Sequence, residues 1–343
     1  MKKYLLPKTG KFYKANLHCH TTCSDGKLTP EQIKEAYKSR GYSVVAYTDH
    51  YLIVPHDELT DESFVALNAY EMEVHDTRAP NFRVMKNSHM CLIALKPDNI
   101  KQVCYHRSKY CKGNMLQYRD KAVIDESLPD YEREHEPDII SDMMRIGREN
   151  GFFVTYNHPT WSLDDYRDYA NYHNMHAMEI YNYNAYVAGF EEENGRVYDD
   201  MLRCGKRIYC IGVDDNHNGR SFDDLKCDSF GAYTMIKAEK LEYTAITDAL
   251  MKGNFYASMG PQIKELWFEG GEIHIKTSPA DRILMRTGYR GANSVYREKG
   301  KSLTYAHFPV DKACVYVRLT VVDKHGKRAD TNAFFTDELY DEQ

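Results

Sequence analysis

Short apolar, β-branched stretches that end on histidine or aspartate recur along this chain, and they constrain its fold more than any other feature. The run Leu17-His18-Cys19-His20 opens the series, with Ser24-Asp25-Gly26 just downstream. Residues 44–47 lead into Thr48-Asp49-His50, residues 152–156 into Asn157-His158-Pro159, and residues 207–213 into Asp214-Asp215-Asn216-His217. His18 and His20, at i and i+2, share one side of an extended strand. Two imidazoles so placed can grip one metal ion. Strands that end on such residues, with helices between them, are the layout of an α/β barrel.

The helical segments carry their own punctuation. Thr29-Pro30-Glu31 has the threonine cap and first-turn proline of a helix start. That helix should run to about Arg40 and stop at Gly41. Further helices are expected over 136–150, stopped by Gly151, and over 190–204. Strands are expected within 64–74 and over 90–95 and 177–181. Residues 97–135 break this rhythm with a polar, basic and aromatic insertion, which reads as a surface excursion or as a lid over the barrel mouth. Its Lys101, Arg107, Lys109 and Lys112 could meet an anionic group, and its Tyr105, Tyr110 and Tyr118 could stack on a ring.

Beyond residue 260 the pattern turns to strands, at 263–268, 272–277, 282–286 and 315–322, with turns at Glu269-Gly270-Gly271 and Lys324-His325-Gly326. The expected organisation is a barrel over 1–260 followed by a small antiparallel β domain over 261–343.

A formal net charge of -6 lacks the basic footprint of a duplex nucleic-acid binder. Bound cations would still admit a small phosphorylated substrate. Nine scattered cysteines with no C-x-x-C pair read as reduced thiols. Cys104 and Cys111, near His106 and His135, match no zinc module. No apolar run is long enough for a signal peptide or a membrane span, so the expected location is cytoplasmic, without a membrane partner.

Taken together, His18-x-His20, Ser24-Asp25-Gly26, Thr48-Asp49-His50, a strand glutamate, a strand histidine, Asn157-His158-Pro159 and Asp215-x-His217 resemble the PHP superfamily of metal-dependent phosphoesterases, over residues 15–220. The changed C-terminal region is similar to the appendage of that superfamily's two-domain branch. The resemblance implies an α/β fold, a distorted seven-stranded (β/α) barrel, holding up to three divalent ions. It implies His18, His20, Glu71 and Asp215 at the first ion. Glu71 would bridge to the second, completed by His89 and His158, and Asp25, His50 and His217 would hold the third. The family usually has Gly-x-Glu where this chain has Ala69-Tyr70-Glu71. Glu73, on the same strand face, is the rival ligand. Asp-x-His spacing selects Asp215 over Asp214. Asp49 is expected to orient an imidazole, and Glu179 to line the pocket or tie a loop.

Mixed imidazole and carboxylate ligands suit two to three ions of Mn, Fe or Zn. Clustered ions lower the pKa of a bridging water and neutralise phosphoryl charge. The chain has no serine elbow, Walker loop or Cys-His frame that would supply another nucleophile. Asp215 or His217 is the candidate proton donor, and Arg220, with Lys27 second, the candidate phosphate-gripping cation. The expected activity is hydrolysis of a phosphoester in a small substrate such as a nucleotide or sugar phosphate. The alternatives are metal-dependent hydrolysis of a C–N or C–O bond, and a non-catalytic metal-bearing accessory protein. The remaining histidines, His274 and His307 among them, fit no frame and read as solvated or locally satisfied. Oligomeric state is not legible.

Overall fold

The computed structural model describes residues 2–341. The first part of the chain runs β1 (Lys3–Tyr4), β2 (Lys11–Asn16), α1 (Pro30–Ser39), β3 (Tyr42–Tyr47), β4 (Val65–His75), β5 (Asn87–Ala94), α2 (Pro137–Glu149) and β6 (Phe152–Tyr156). There follow α3 (Tyr166–Tyr169), β7 (Ala177–Asn182), α4 (Tyr183–Ala188), α5 (Gly195–Arg203), β8 (Tyr209–Val213), β9 (Tyr233–Ala238), α6 (Tyr243–Met251) and β10 (Phe255–Ser258). The last part is β11 (Ile263–Glu269), β12 (Glu272–Ala280), β13 (Arg282–Thr287), β14 (Ala292–Tyr296), β15 (Leu303–Pro309), β16 (Tyr316–Val322), β17 (Arg328–Thr331), β18 (Phe334–Phe335) and α7 (Thr336–Tyr340).

The helix signals act as local chemistry requires. Thr29 caps α1 in a reciprocal capping box with Gln32, and Pro30 sits at its first position. Gly41 follows at φ +77°, a conformation that costs glycine little. The helix expected over 190–204 begins only at Gly195, because Gly189, at φ +103°, has just closed the separate α4.

The architecture is a mixed α/β fold, dominated by sheet. One large sheet has the order β14-β13-β16-β17-β10-β9-β2-β3-β4-β5-β6-β7-β8, with β18 on β16. Within it β2 through β8 are neighbours in chain order. The pairs β2–β3, β3–β4, β6–β7 and β7–β8 are parallel, while β5 is antiparallel to both neighbours. An apolar cluster draws inward-facing residues from each of these strands, including Ala15, Val44, Leu67, Ile93, Phe153, Ala177 and Ile211, and α6 caps it with Ile246 and Leu250. The chain beyond β2 meets the chain beyond β8: His20 N donates to Asn216 O at 3.0 Å, and Asp215 N to His18 O at 3.0 Å.

The sheet does not stop at the expected boundary near 260. β9 pairs β10, β10 pairs β17 and β17 pairs β16, so the later strands extend it without a break. A second, four-stranded sheet has the order β1-β11-β12-β15, so the chain's first strand belongs with the last part of the sequence. Arg318 on β16 is buried against Asp199 of α5 at 2.7 and 2.8 Å and against Asp330 of β17 at 2.6 Å. Strands β1, β9, β10, β14, β15, β17 and β18 are not legible in the sequence. Most are brief or lack clear alternation, and pairing with neighbours makes them strands. Among the described residues no helix is long and apolar enough to cross a membrane.

Candidate metal centre

Glu71 is the hub of the site. Its carboxylate oxygens lie 3.0 Å from His50 Nδ1 and His89 Nδ1, 3.1 Å from His18 Nε2, 3.4 Å from His158 Nε2 and 3.5 Å from His20 Nε2. Asp215 Oδ1 is 3.1 Å from His20 Nε2 and 3.2 Å from His18 Nε2. Asp25 faces His217, His50 and His20 at 3.6, 3.7 and 3.8 Å. The nine residues nominated as ligands thus gather in overlapping groups, His20 with Asp25, His50 and His217, His18 with His158 and Asp215, and His50 with Glu71 and His89. All but His18 line one cavity of about 450 Å³; His18 is buried beneath it.

Topology explains the gathering. His18 and His20 follow β2, His50 follows β3, His158 follows β6 and Asp215 follows β8. Two ligands depart from the strand-end rule. Glu71 lies inside β4, which continues to His75 because β5 pairs along it. His89 enters from the start of β5, because that strand runs the opposite way. Glu73 stands directly across from His89 in the register, with its oxygens 2.8 Å from His75, 3.6 Å from Lys112 and 3.8 Å from His89 Nε2, at the edge of the same cavity. His158 and Asp215 have φ of +24° and +54°. Such backbones cost roughly 1–3 kcal/mol each and collect at functional sites.

Burial would raise the Glu71 carboxyl, but His89 and His18 outweigh it and hold the group well below the usual range. Asp215 is lowered in the same way, with His18 and His20 overcoming its burial. Burial, with His217 and His50 nearby, pushes His20 down to about 4, leaving a neutral ring that can ligate. Two buried atoms of the cluster, His20 Nδ1 and His89 Nε2, have no hydrogen-bond partner, and His50 Nδ1 and Glu71 Oε2 meet at 3.0 Å without hydrogen-bond geometry. Each such orphan costs about 1–3 kcal/mol. Cations held by such atoms would remove that cost, so the residues fit divalent metal binding.

Partners behind the ligands hold their orientation. Glu179 accepts from His18 Nδ1 at 2.7 Å and from His158 N at 2.9 Å. Asn157 Nδ2 donates to Glu71 Oε1 at 2.9 Å. Asp49, expected on an imidazole, instead accepts from Thr21 and Ser24 and shapes the turn that presents Asp25. Asp214 points away and ties down the backbone of Phe230, Gly231 and Ala232.

The expected phosphate-gripping cations are elsewhere. Neither Arg220 nor Lys27 lines the cavity, and both are exposed. Asp228 accepts from His217 N and Asn218 N, and Asn218 at φ +57° turns residues 219–226 out into solvent. Among the described residues the lysine or arginine that lines the cavity is Lys112, from the insertion. The insertion packs onto the mouth: Met115 and Cys111 share a small apolar cluster with Cys23 and Leu52. Of the other cations nominated there, Lys101 pairs with Asp125, Arg107 with Asp130 and Lys109 with Glu132. Tyr105, Tyr110 and Tyr118 do not line the cavity. His106 and His135 are satisfied by Glu132 and Ser88. Trp161 went unread in the sequence; its ring lies 4.9 Å from His158 and 5.2 Å from His89. A tryptophan two residues past Pro159 carries no motif that marks it.

Fold and site together define a sheet-rich α/β protein with a cluster of histidines and carboxylates able to bind divalent metal. No protein-family model matches the chain, and no curated protein matches it. Among solved structures it is similar to a two-domain protein from Bacteroides vulgatus containing a predicted PHP-like metal-dependent phosphoesterase, at 13% identity over 94% of each chain and a TM-score of 0.42. It is also similar to a candidate metal-dependent phosphoesterase from Bifidobacterium adolescentis, at 15% identity over 64% of this chain and 92% of that one, with a TM-score of 0.36. A third, an amidohydrolase from Chromobacterium violaceum with bound sulfate and no metal, matches at 15% identity over 59% of this chain and 87% of that one, with a TM-score of 0.36.

Proposed function

We propose that the protein is a metal-dependent hydrolase that cleaves a phosphoester in a small phosphorylated substrate, with two to three ions of Mn, Fe or Zn. The observation that carries this reading is the carboxylate of Glu71 set among five imidazoles, with four of those histidines and the glutamate lining one open cavity. His18, His20, Glu71 and Asp215 would hold one ion, Glu71, His89 and His158 a second, and Asp25, His50 and His217 a third. The bound ions supply an activated water and neutralise charge on the phosphoryl oxygens.

The chain's own residues do the rest. Glu179 and Asn157 fix the orientation of His18 and Glu71. Lys112 offers a positive charge at the rim to a substrate anion, and the Asp215 carbonyl, 3.0 Å from His217 Nδ1, holds that ring with Nε2 toward Asp25. The backbone bonds between the segments after β2 and β8 support reading β2–β8 as a closed seven-stranded barrel, with its mouth at this site.

The test is elemental analysis of protein purified without added metal or chelator, followed by a panel of phosphate mono- and diesters against amides and lactones. The expected result is two to three ions per chain and turnover of phosphate esters. Turnover confined to amides or lactones would move the reaction to another bond. A metal-loaded protein that turns over nothing would favour an accessory role.

A further inference from the structure

A second group of potential metal donors lies far along the chain, on the outer face of the four-stranded sheet. In the register, His274 of β12 stands directly opposite His307 of β15, and Trp267 of β11 directly opposite His274. The rings form a cross-strand ladder, with centroids 4.9 Å apart for Trp267 and His274 and 5.6 Å for His274 and His307. Glu272 is two residues before His274 and so shares its face. Its Oε2 lies 3.2 Å from His307 Nδ1 and 4.0 Å from His274 Nε2.

We propose that Glu272, His274 and His307 form a surface site for one divalent transition-metal ion of the zinc, nickel or copper class, separate from the cluster around Glu71. The second ring nitrogen of His274 supports the assignment. His274 Nδ1 lies 2.9 Å from the Tyr305 hydroxyl. With Nδ1–H donating to that oxygen, the lone pair is on Nε2, the atom that faces Glu272; a polar partner on the far nitrogen is the usual support of a ligating histidine. Two imidazoles and a carboxylate are a donor set for zinc, nickel or copper rather than for magnesium or calcium. Three protein donors leave a coordination position for water.

The two tryptophans of the chain give each site its own reporter. Trp161 stands beside His89 and His158, and Trp267 stacks on His274. In a Trp161→Phe protein, Trp267 is the only tryptophan left, and a paramagnetic ion on His274 will quench it. The experiment titrates Ni²⁺ into the full-length Trp161→Phe protein and follows tryptophan emission. The expected result is saturable quenching with one ion per Trp267. Adding His307→Ala, which leaves the Trp267–His274 stack in place, should weaken the apparent affinity at least tenfold, and Glu272→Gln should weaken it too. His307 is half exposed, so its removal should leave the fold intact, as far-UV circular dichroism would report. No saturable quenching, or quenching unchanged by both substitutions, would overturn the assignment and leave the ladder as surface packing. Because the readout is Trp267 emission, it is independent of phosphoesterase activity.

Discussion

The Glu179 carboxylate lies 2.7 Å from Nδ1 of His18, and this contact turns Nε2 of the same ring toward Glu71 and Asp215. A buried carboxylate behind a buried imidazole fixes both its tautomer and its angle. Glu179 also accepts from the backbone of His158, so one side chain sets two ligands. Glu179→Ala should therefore lower metal affinity roughly 10- to 100-fold with the fold retained. Isothermal titration of chelator-treated protein with Mn²⁺ or Zn²⁺ checks it; unchanged affinity would mean His18 needs no such support.

Glu71→Gln should cost metal as well as rate, because the lost charge faces five imidazoles. Glu73→Gln should do much less, since Glu73 is engaged with His75 and Lys112 at the edge of the cluster. Elemental analysis of both variants decides the matter. Equal loss at the two positions would shift the hub by one strand step.

Asp215→Asn should abolish turnover without unfolding the protein. The residue sits at φ +54°, and asparagine is among the few residues that adopt this region readily. Turnover, metal content and the thermal midpoint should be measured together. Near-normal turnover with full metal content would remove Asp215 from the site.

Lys112→Gln should raise KM for phosphorylated substrates roughly three- to tenfold with kcat little changed, as expected for loss of one steering charge at a rim. Arg220→Gln should be silent, because its side chain is in solvent away from the cavity. Steady-state kinetics on the two variants, at two salt concentrations, compares them directly. A larger effect at Arg220 than at Lys112 would reverse the assignment.

Arg318→Ala should destabilise the protein by about 3–5 kcal/mol, the usual cost of removing one partner from a buried ion network. Asp199 and Asp330 would be left facing each other without a cation between the later strands and α5. Urea denaturation followed by circular dichroism measures the loss. A shift below about 1 kcal/mol would show that water replaces the guanidinium at no great cost.

Much of the frame is written locally. The cap at Thr29, the proline at position 30 and the stop at Gly41 act over a few residues, so they can be read without a fold. Asp215, with its Asp-x-His spacing, and the polar ends of β3 and β6 were legible for the same reason. His18 and His20, expected on a strand, instead lie just past the end of β2, where the backbone bonds of His20 N to Asn216 O and of Asp215 N to His18 O help place them.

Partnership between distant segments left no such mark. The sequence nominates Arg220 by its nearness to His217, but the turn at Asn218 carries it outward, and the packing of Met115 against Cys23 and Leu52 puts Lys112 at the cavity instead. Asp49 shapes a turn and Glu179 aims a ring, though both had looked like carboxylates at strand ends. The pairing of β1 with β11, and of His274 with His307, joins residues that no local pattern connects. Residue type and short-range patterning therefore determined which side chains could ligate and where helices such as α1 and α2 start and stop. Long-range strand register and core packing decided which of those side chains meet, because such contacts depend on how the whole chain closes on itself.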